Sequence, residues 1–295
     1  MRVTELETFV VGNPRRDFGG RYWLFVKLVT DGGVVGYGEV YAAAFSPEVV
    51  EEMVRDVFER HLLDRDPFRI EHLFRSVFSA GYSQRSELSL MSVLSGLETA
   101  CWDIVGKALD RPVYDLLGGR VHERLRTYTY LYPFDGDAGN VYTDVDVAAE
   151  RAAEMVRMGF TAVKFDPCGP YTAYDPRQLD LQTLSHAERF VAGIREAVGD
   201  SCDLLFGTHG QMTAAGAIRL ARRIEPYDPL WFEEPIPPEN IEDLARVASA
   251  TSIPVAVGER LAGKNEFYRV VSGQAASILQ MALGRVGGIL EAKKI

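Results

Sequence analysis

Three short apolar runs in the second half of the chain each end in polar residues, and they recur at a fixed interval. Within them Gly207, Glu233 and Glu259 follow one another at intervals of 26 residues. Segments with helical periodicity, at 213–224 and 240–250, separate the runs. Strands that alternate with helices at a fixed period predict a parallel (β/α) barrel, whose chemistry lies at the carboxyl ends of its strands. The three runs cover residues 204–209, 230–235 and 255–260.

The first part of the chain follows a different pattern, in which strand-like runs come first and helical periodicity comes later. Antiparallel strands followed by helices predict an α+β domain. Gly118-Gly119 follows a short helical segment, and we place the domain boundary there, so that the α+β domain covers 1–119. The predicted strands are 3–11, 22–30 and 34–40, and the predicted helices are 47–60, 67–79 and 87–108.

The barrel domain, 120–295, contains six predicted strands. A closed barrel of this kind has eight strands, so we expect the chain to be a fragment that lacks the C-terminal part of the barrel. Besides the three runs above, the predicted strands are 126–130, 161–165 and 276–280, and the predicted helices include 144–158, 185–198 and 287–295.

Composition narrows the class of protein. The chain has 295 residues, 47% of them hydrophobic, and a formal charge of −10, which argues against nucleic acids and anionic membranes as partners. Three cysteines without ligand spacing favour a reduced, cytoplasmic protein. The first residues lead into a strand and not into a signal peptide, and no apolar run is expected to span a membrane.

Two carboxylates at the ends of neighbouring predicted strands form the first candidate site. Glu233 and Glu259 supply hard oxygen ligands of the kind that Mg²⁺ prefers. The alternative is that they are ordinary charged residues at strand ends, with solvent or Arg260 as partner. Lys164 ends another strand and could contact a substrate carboxylate or act as an acid or base, or it could form an ion pair with Asp166.

Several motifs in order along the chain resemble the mandelate racemase/muconate-lactonising branch of the enolase superfamily. The resemblance implies an N-terminal capping domain over a (β/α)₇β barrel, with Mg²⁺ holding a substrate carboxylate while the α-proton is removed to give an enediolate. The motifs are 98–108 and 111–119, Val163-Lys164-Phe165-Asp166, Phe232-Glu233-Glu234-Pro235, Gly258-Glu259-Arg260 and Gly287-Gly288-Ile289.

Within that family the segment Thr208-His209-Gly210 looks most like the sugar-acid dehydratases of the galactonate type. The resemblance implies that His209 is the general acid for the departing 3-hydroxyl, that Glu233 and Glu259 hold the metal and that Lys164 contacts the carboxylate. Glu234 would either orient the metal ligands by contacting them or be a structural residue that pairs with a nearby basic side chain. His209 could instead become a third metal ligand, or it could simply be a polar residue capping the following helix.

Three positions depart from the pattern that the resemblance implies. Gly207 stands where the family has its first metal-binding Asp, and Asp166 stands where racemase-like members often have a second Lys. The predicted sixth strand contains no Asp to orient a base. We therefore expect the base to lie beyond Ile295.

Two loops are candidate lids over the substrate, although a solvated charged loop is the commoner use of such residues. One contains Arg15, Arg16 and Asp17, and the other contains Tyr171, Tyr174 and Arg177.

The sequence thus predicts a Mg²⁺-dependent lyase that dehydrates a small sugar acid to a 2-keto-3-deoxy acid, in a chain that forms a homo-oligomer. Two alternatives stay open. One is a racemase, epimerase or cycloisomerase of the same family, and the other is a non-catalytic protein that binds sugar acids.

Overall fold

The structure is a computed structural model that describes residues 1–14, 20–41, 44–169 and 178–295. The chain divides into two compact units. The first unit comprises Met1–Glu123, Glu259–Tyr268 and Met281–Ile295, and the second comprises Arg124–Gly258 and Arg269–Gln280. The division at residue 119 was made from sequence and stays a prediction.

The strands alternate with helices only in the later part of the chain. The strands are β1 Val3–Gly12, β2 Tyr22–Thr30, β3 Val35–Val40, β4 Thr129–Tyr130, β5 Ala162–Phe165, β6 Asp203–Gly207, β7 Trp231–Glu233, β8 Val255–Val257 and β9 Ile278–Leu279. The helices are α1 Pro47–His61, α2 Ile70–Phe78, α3 Leu88–Leu109, α4 Val113–Leu116, α5 Val145–Arg157, α6 Leu181–Val198, α7 Ala214–Ile224, α8 Ile241–Ser249, α9 Lys264–Ser272 and α10 Ile289–Lys294.

In the first unit an antiparallel sheet, in the order β1-β2-β3, packs against α3. Side chains of β2 alternate, and Leu24, Val26 and Leu28 are buried in the core. Glycines allow β3 and α3 to approach closely, because a Cβ at Gly38 would lie 2.0 Å from the carbonyl oxygen of Gly96. A larger residue at either position would push the helix off the sheet.

Helix α3 is long and strongly apolar. By length and composition alone α3 could cross a membrane. The sequence-based expectation that no apolar run reaches the length of a membrane span did not take account of this helix. In the structure 67% of its most apolar window is buried within the protein, and its buried residues include Glu98. Core helices of soluble proteins share these properties.

The buried carboxylate of Glu98 holds the start of α10. Its two oxygens accept hydrogen bonds from the backbone amides of Ile289, at 2.8 Å, and Leu290, at 2.9 Å. The indole nitrogen of Trp102 donates a third bond, at 2.8 Å. Because the first amides of a helix have no partner within the helix, Glu98 satisfies donors that would otherwise be buried unpaired.

In the second unit six parallel strands pair in sequence order from β4 to β9. β5 and β8 are buried along their whole length, as expected for parallel strands that are covered on both faces. The predicted fold class, an antiparallel α+β part followed by a barrel-type parallel β/α part, is confirmed.

The ends of several elements differ from the predicted ones. The predicted strands 126–130 and 276–280 are paired only at Thr129–Tyr130 and Ile278–Leu279. α6 begins four residues before the predicted start, at Leu181, because the side chain of Asp180 accepts a hydrogen bond from the amide of Thr183 at 2.7 Å. A cap of this kind fixes the first turn of a helix irrespective of apolar periodicity.

Substitution of Glu98 by Ala should destabilise the protein by about 1–3 kcal/mol, because it leaves two backbone amides and an indole N–H buried without an acceptor. Urea unfolding measures the change. Glu52→Ala on the exposed surface of α1 is the control and should change the free energy of unfolding by less than about 0.5 kcal/mol. Equal losses in the two variants would show that Glu98 does not hold α10.

The pH dependence of stability should also report on Glu98. Burial raises the pKa of this carboxyl group, and its hydrogen bonds to the amides and the indole oppose the rise only in part. A carboxyl group whose pKa is raised in the folded state stabilises the fold below its unfolded pKa, and this contribution is lost as the pH rises through the folded pKa. Glu98→Gln should therefore gain stability relative to the wild type as the pH rises through that window. A relative loss would mean that the hydrogen bonds outweigh burial.

Candidate active site

The register of three parallel strands brings the predicted site residues of the second unit to one end of the sheet. Lys164 of β5 lies opposite Leu205 of β6, and Gly207, two residues further along β6, lies opposite Glu233 of β7. Because side chains alternate along a strand, Lys164, Gly207 and Glu233 face the same side. The site therefore forms where β6 ends, with one neighbouring strand on each side.

Lys164 and Glu233 form a buried ion pair at this point. The Nζ of Lys164 lies 2.7 Å from Oε2 of Glu233, and their side chains are only 10% and 2% exposed. The indole nitrogen of Trp231 donates to the same oxygen at 3.2 Å. The ring of Trp231 also meets that of Tyr128 edge to face at 5.3 Å, so aromatic side chains flank the pair.

His209 and Asp166 form a second polar pair. Nδ1 of His209 lies 3.8 Å from Oδ2 of Asp166, which is longer than a hydrogen bond, and the two groups form an ion pair only when the imidazole is protonated. The amide of Cys168 donates to Oδ1 of Asp166 at 2.8 Å, and Nε2 of Gln211 donates to Oδ2 at 2.7 Å. Burial raises the pKa of Asp166, while His209 and the hydrogen-bond donors oppose that rise.

A tight turn after β6 presents His209. The φ of His209 is +54°, in a region that residues other than glycine seldom adopt. The hydroxyl of Thr208 donates to the carbonyl oxygens of Glu233, at 2.9 Å, and Glu234, at 3.0 Å. The amide of Gly210 donates to the carbonyl oxygen of Glu234 at 2.7 Å. These bonds hold the strained backbone, whose cost is of the order of 1–3 kcal/mol, and so fix the position of the Cα of His209.

Glu259 follows β8 by two residues and belongs to the first unit. Its side chain is half-buried, and its carbonyl oxygen accepts a hydrogen bond from Arg285 at 2.7 Å. It lines a cavity of about 420 Å³ in that unit, together with Tyr41 and Leu283. Arg285 stacks over the ring of Tyr41 at 4.1 Å.

The pairing of the charged residues differs from the one that the sequence suggested. Lys164 contacts Glu233 and not Asp166, because Asp166 lies beyond the end of β5, where it accepts a hydrogen bond from the chain turning back at Cys168. Gln211 was not identified from sequence, although its place two residues after His209 in a polar turn was a usable signal. Arg15, Arg16, Asp17, Tyr171, Tyr174 and Arg177 lie outside the described residues.

The donor set in the second unit does not fit the Mg²⁺ ion that the fold family implies. Mg²⁺ requires about six oxygen ligands in octahedral geometry. Position 207 supplies no side chain, and Glu233 already faces an ammonium group. In the part of the chain that the structure describes, no three His, Cys, Asp or Glu side chains form a group that could hold a metal ion.

Comparison with known proteins gives relatives over the whole chain. A D-galactonate dehydratase of Klebsiella pneumoniae (strain 342) is 34% identical over 302 residues, which cover 100% of this chain and 71% of the relative. A solved structure from Labrenzia alexandrii DFL-11, described as a mandelate racemase/muconate lactonizing enzyme, is 62% identical with a TM-score of 0.96, covering 100% of this chain and 74% of that one. The mandelate racemase/muconate lactonizing enzyme from Sulfitobacter sp. is 53% identical with a TM-score of 0.97, covering 100% and 75%.

Two family models match, one for each part of the fold. The N-terminal domain of mandelate racemase/muconate lactonizing enzymes matches residues 18–118, and the enolase C-terminal domain-like family matches residues 147–295. The predicted enzyme class, a lyase, agrees with the names of curated relatives. The resemblance inferred from the motifs is confirmed, and the chain belongs to the mandelate racemase/muconate lactonizing enzyme family of the enolase superfamily.

Proposed function

We propose that this protein dehydrates a sugar acid, an aldonate or aldarate, to a 2-keto-3-deoxy acid. The proposal is carried by the position of His209 at the carboxyl end of the parallel strand β6. The side chain of His209 is 37% exposed, and its Nδ1 lies 3.8 Å from the buried carboxylate of Asp166. Chemistry in folds of this type is concentrated at that end of the strands. Relatives named D-galactonate dehydratase support the choice of a sugar acid as the substrate class.

In the proposed reaction, a base removes the proton from the carbon next to the substrate carboxylate. The electron pair left behind forms a double bond between C2 and C3 and expels the 3-hydroxyl. His209 donates its proton to the departing oxygen, which leaves as water, and the resulting enol becomes a 2-keto acid. Because hydroxide is a poor leaving group, a positioned acid is the main contribution that His209 can make.

Asp166 positions His209 for this step. A carboxylate beside an imidazole stabilises the imidazolium form, which is the form that can donate a proton. Gln211 and the amide of Cys168 hold the carboxylate in place. The strained turn at His209 holds the backbone from which the ring extends.

Lys164 is the candidate for contact with the substrate carboxylate. Its ammonium group carries three hydrogen-bond donors, and Glu233 occupies one side of it at 2.7 Å. An anionic substrate would have to accept a hydrogen bond from one of the other two donors. The family resemblance implies Mg²⁺ held by Glu233 and Glu259. The residues present in the second unit do not fit the ion, so no step of the proposed reaction passes through it.

The proposal is tested by incubating the protein with D-galactonate and a panel of other aldonates and aldarates. Dehydration gives a 2-keto acid that forms a semicarbazone, and we expect the product with at least one acid of the panel when the protein assayed also contains the base. His209→Asn should lower kcat by about 10²–10⁴-fold, the contribution typical of a positioned general acid. His122→Asn, at an exposed histidine, is the matched control and should leave the rate unchanged.

Other outcomes separate the alternatives. Exchange of the α-proton with solvent deuterium and formation of an epimer, without a 2-keto acid, would point to a racemase or epimerase. Binding of a sugar acid without exchange or product would point to a non-catalytic binding protein. An equal rate in His209→Asn and the wild type would remove His209 from the mechanism.

A further inference from the structure

We propose that the ammonium group of Lys164 is the resident cation of this site, that Gly207 is the residue that makes room for it, and that Glu233 therefore binds no divalent metal ion. The inference rests on the proposed function only for the nature of the anion that Lys164 would contact. The inference itself is drawn from the arrangement of Lys164, Gly207 and Glu233 at the carboxyl end of β6.

The side chain of Lys164 fills the space above Gly207. A Cβ built at Gly207 would lie 2.5 Å from Cε of Lys164 and 3.3 Å from its Nζ. Real Cβ atoms do not approach another heavy atom so closely, so the end of the lysine side chain occupies the volume that any other residue at 207 would need. The contact is with the far end of a flexible side chain, so a larger residue at 207 would move the ammonium group and not the backbone.

Backbone conformation does not explain this glycine. The φ of Gly207 lies outside the left-handed region that favours glycine, and residue 207 is a paired position at the end of β6. Glycine inside a strand weakens it, and it often marks a place where another group approaches closely. Here the approaching group is the side chain of Lys164.

The side chain of Lys164 reaches across β6 to its partner. Lys164 starts on β5 and Glu233 on β7, so β6 lies between them. The ammonium group reaches Glu233 by passing over the end of β6, and it can do so because Gly207 presents only hydrogen there. The ion pair therefore depends on the glycine, because a side chain at position 207 would keep the ammonium group from Glu233.

Lys164 supplies the positive charge that Glu233 requires. Glu233 is almost completely buried, and a buried carboxylate requires a compensating charge or several donors. The ammonium of Lys164 supplies the charge at 2.7 Å, and the indole of Trp231 supplies a further donor. A metal ion bound to the same carboxylate would lie close to the ammonium group, and the repulsion between the two cations in a buried site disfavours it.

A carboxylate at position 207 would invert this arrangement. It would lie beside Glu233 in the paired register and would take the volume that the lysine now fills. Two neighbouring carboxylates and no ammonium are a donor set suited to a divalent ion. Glycine at position 207 and lysine at position 164 therefore favour the ammonium group of the lysine over a bound metal ion as the cation of this site.

The stability of the ion pair gives a first check. Lys164→Met should lower the Tm by about 6 °C or more, because it leaves a buried carboxylate without its counter-charge. Lys27→Met is the matched control, since Lys27 also lies 2.7 Å from a carboxylate, that of Glu7, but the two side chains are 24% and 47% exposed. It should lower the Tm by about 2 °C or less. Equal shifts would show that the burial of Lys164–Glu233 has no energetic consequence.

The decisive experiment is a titration of the full chain with Mn²⁺, read by electron paramagnetic resonance and by the Tm, without any sugar acid. We expect the wild type and Glu233→Gln to bind Mn²⁺ equally. Lys164→Met should bind Mn²⁺ with an affinity increased by about tenfold or more, and Gly207→Asp/Lys164→Met should bind it more tightly still. Adding Glu233→Gln to Lys164→Met should remove the gain, which controls for ions bound elsewhere on the acidic surface.

Two results would overturn the inference. One is Mn²⁺ binding by the wild type that is lost in Glu233→Gln, since Glu233 would then be a metal ligand in the presence of Lys164. The other is a folded Lys164→Met and a folded double variant that bind no more Mn²⁺ than the wild type. If Lys164→Met does not fold, the comparison of the wild type with Glu233→Gln still decides the first point. Because no substrate is present, these results are independent of whether dehydration is observed.

Discussion

The buried ion pair between Lys164 and Glu233 is the contact around which the site of the second unit is arranged. It depends on the register of β5, β6 and β7, which sets the two side chains on either side of Gly207. A register shift by one residue would turn one of these side chains to the opposite face of the sheet. The hydrogen bonds of the sheet therefore determine the geometry of the polar site. The buried apolar residues of β5 and β6 fix the register of these strands.

Burying an ion pair is costly, because both charges leave water, and apolar residues of the same volume would often be as stable. Its presence at the carboxyl end of a parallel sheet is consequently more informative about function than about stability. A cation supplied by a side chain cannot be lost by dilution or chelation. It carries a single charge, however, and so stabilises negative charge on a substrate less than a divalent ion would.

Each unit contains a buried glutamate carboxylate, and different donors compensate for its burial in the two units. Glu98 in the first unit is buried and receives three N–H donors, two of them from the start of a helix nearly 200 residues later in the chain. Glu233 in the second unit receives an ammonium group and one indole N–H. Both carboxylates connect segments that are distant in sequence, so each fixes tertiary structure as well as local charge.

The sequence by itself determined the order of the elements, the barrel-type β/α pattern of the later part and the family, because these depend on periodic apolar residues and on motifs that can be read along the chain. It also singled out Lys164, Asp166, His209, Glu233 and Glu259 as strand-end residues. Only the tertiary structure decided which of them meet. Lys164 pairs with Glu233 across a strand and Asp166 with His209, and Gly207 became interpretable as the space that a lysine fills. These contacts depend on strand register and on the volume above a glycine, and neither quantity is encoded in the local pattern of residues.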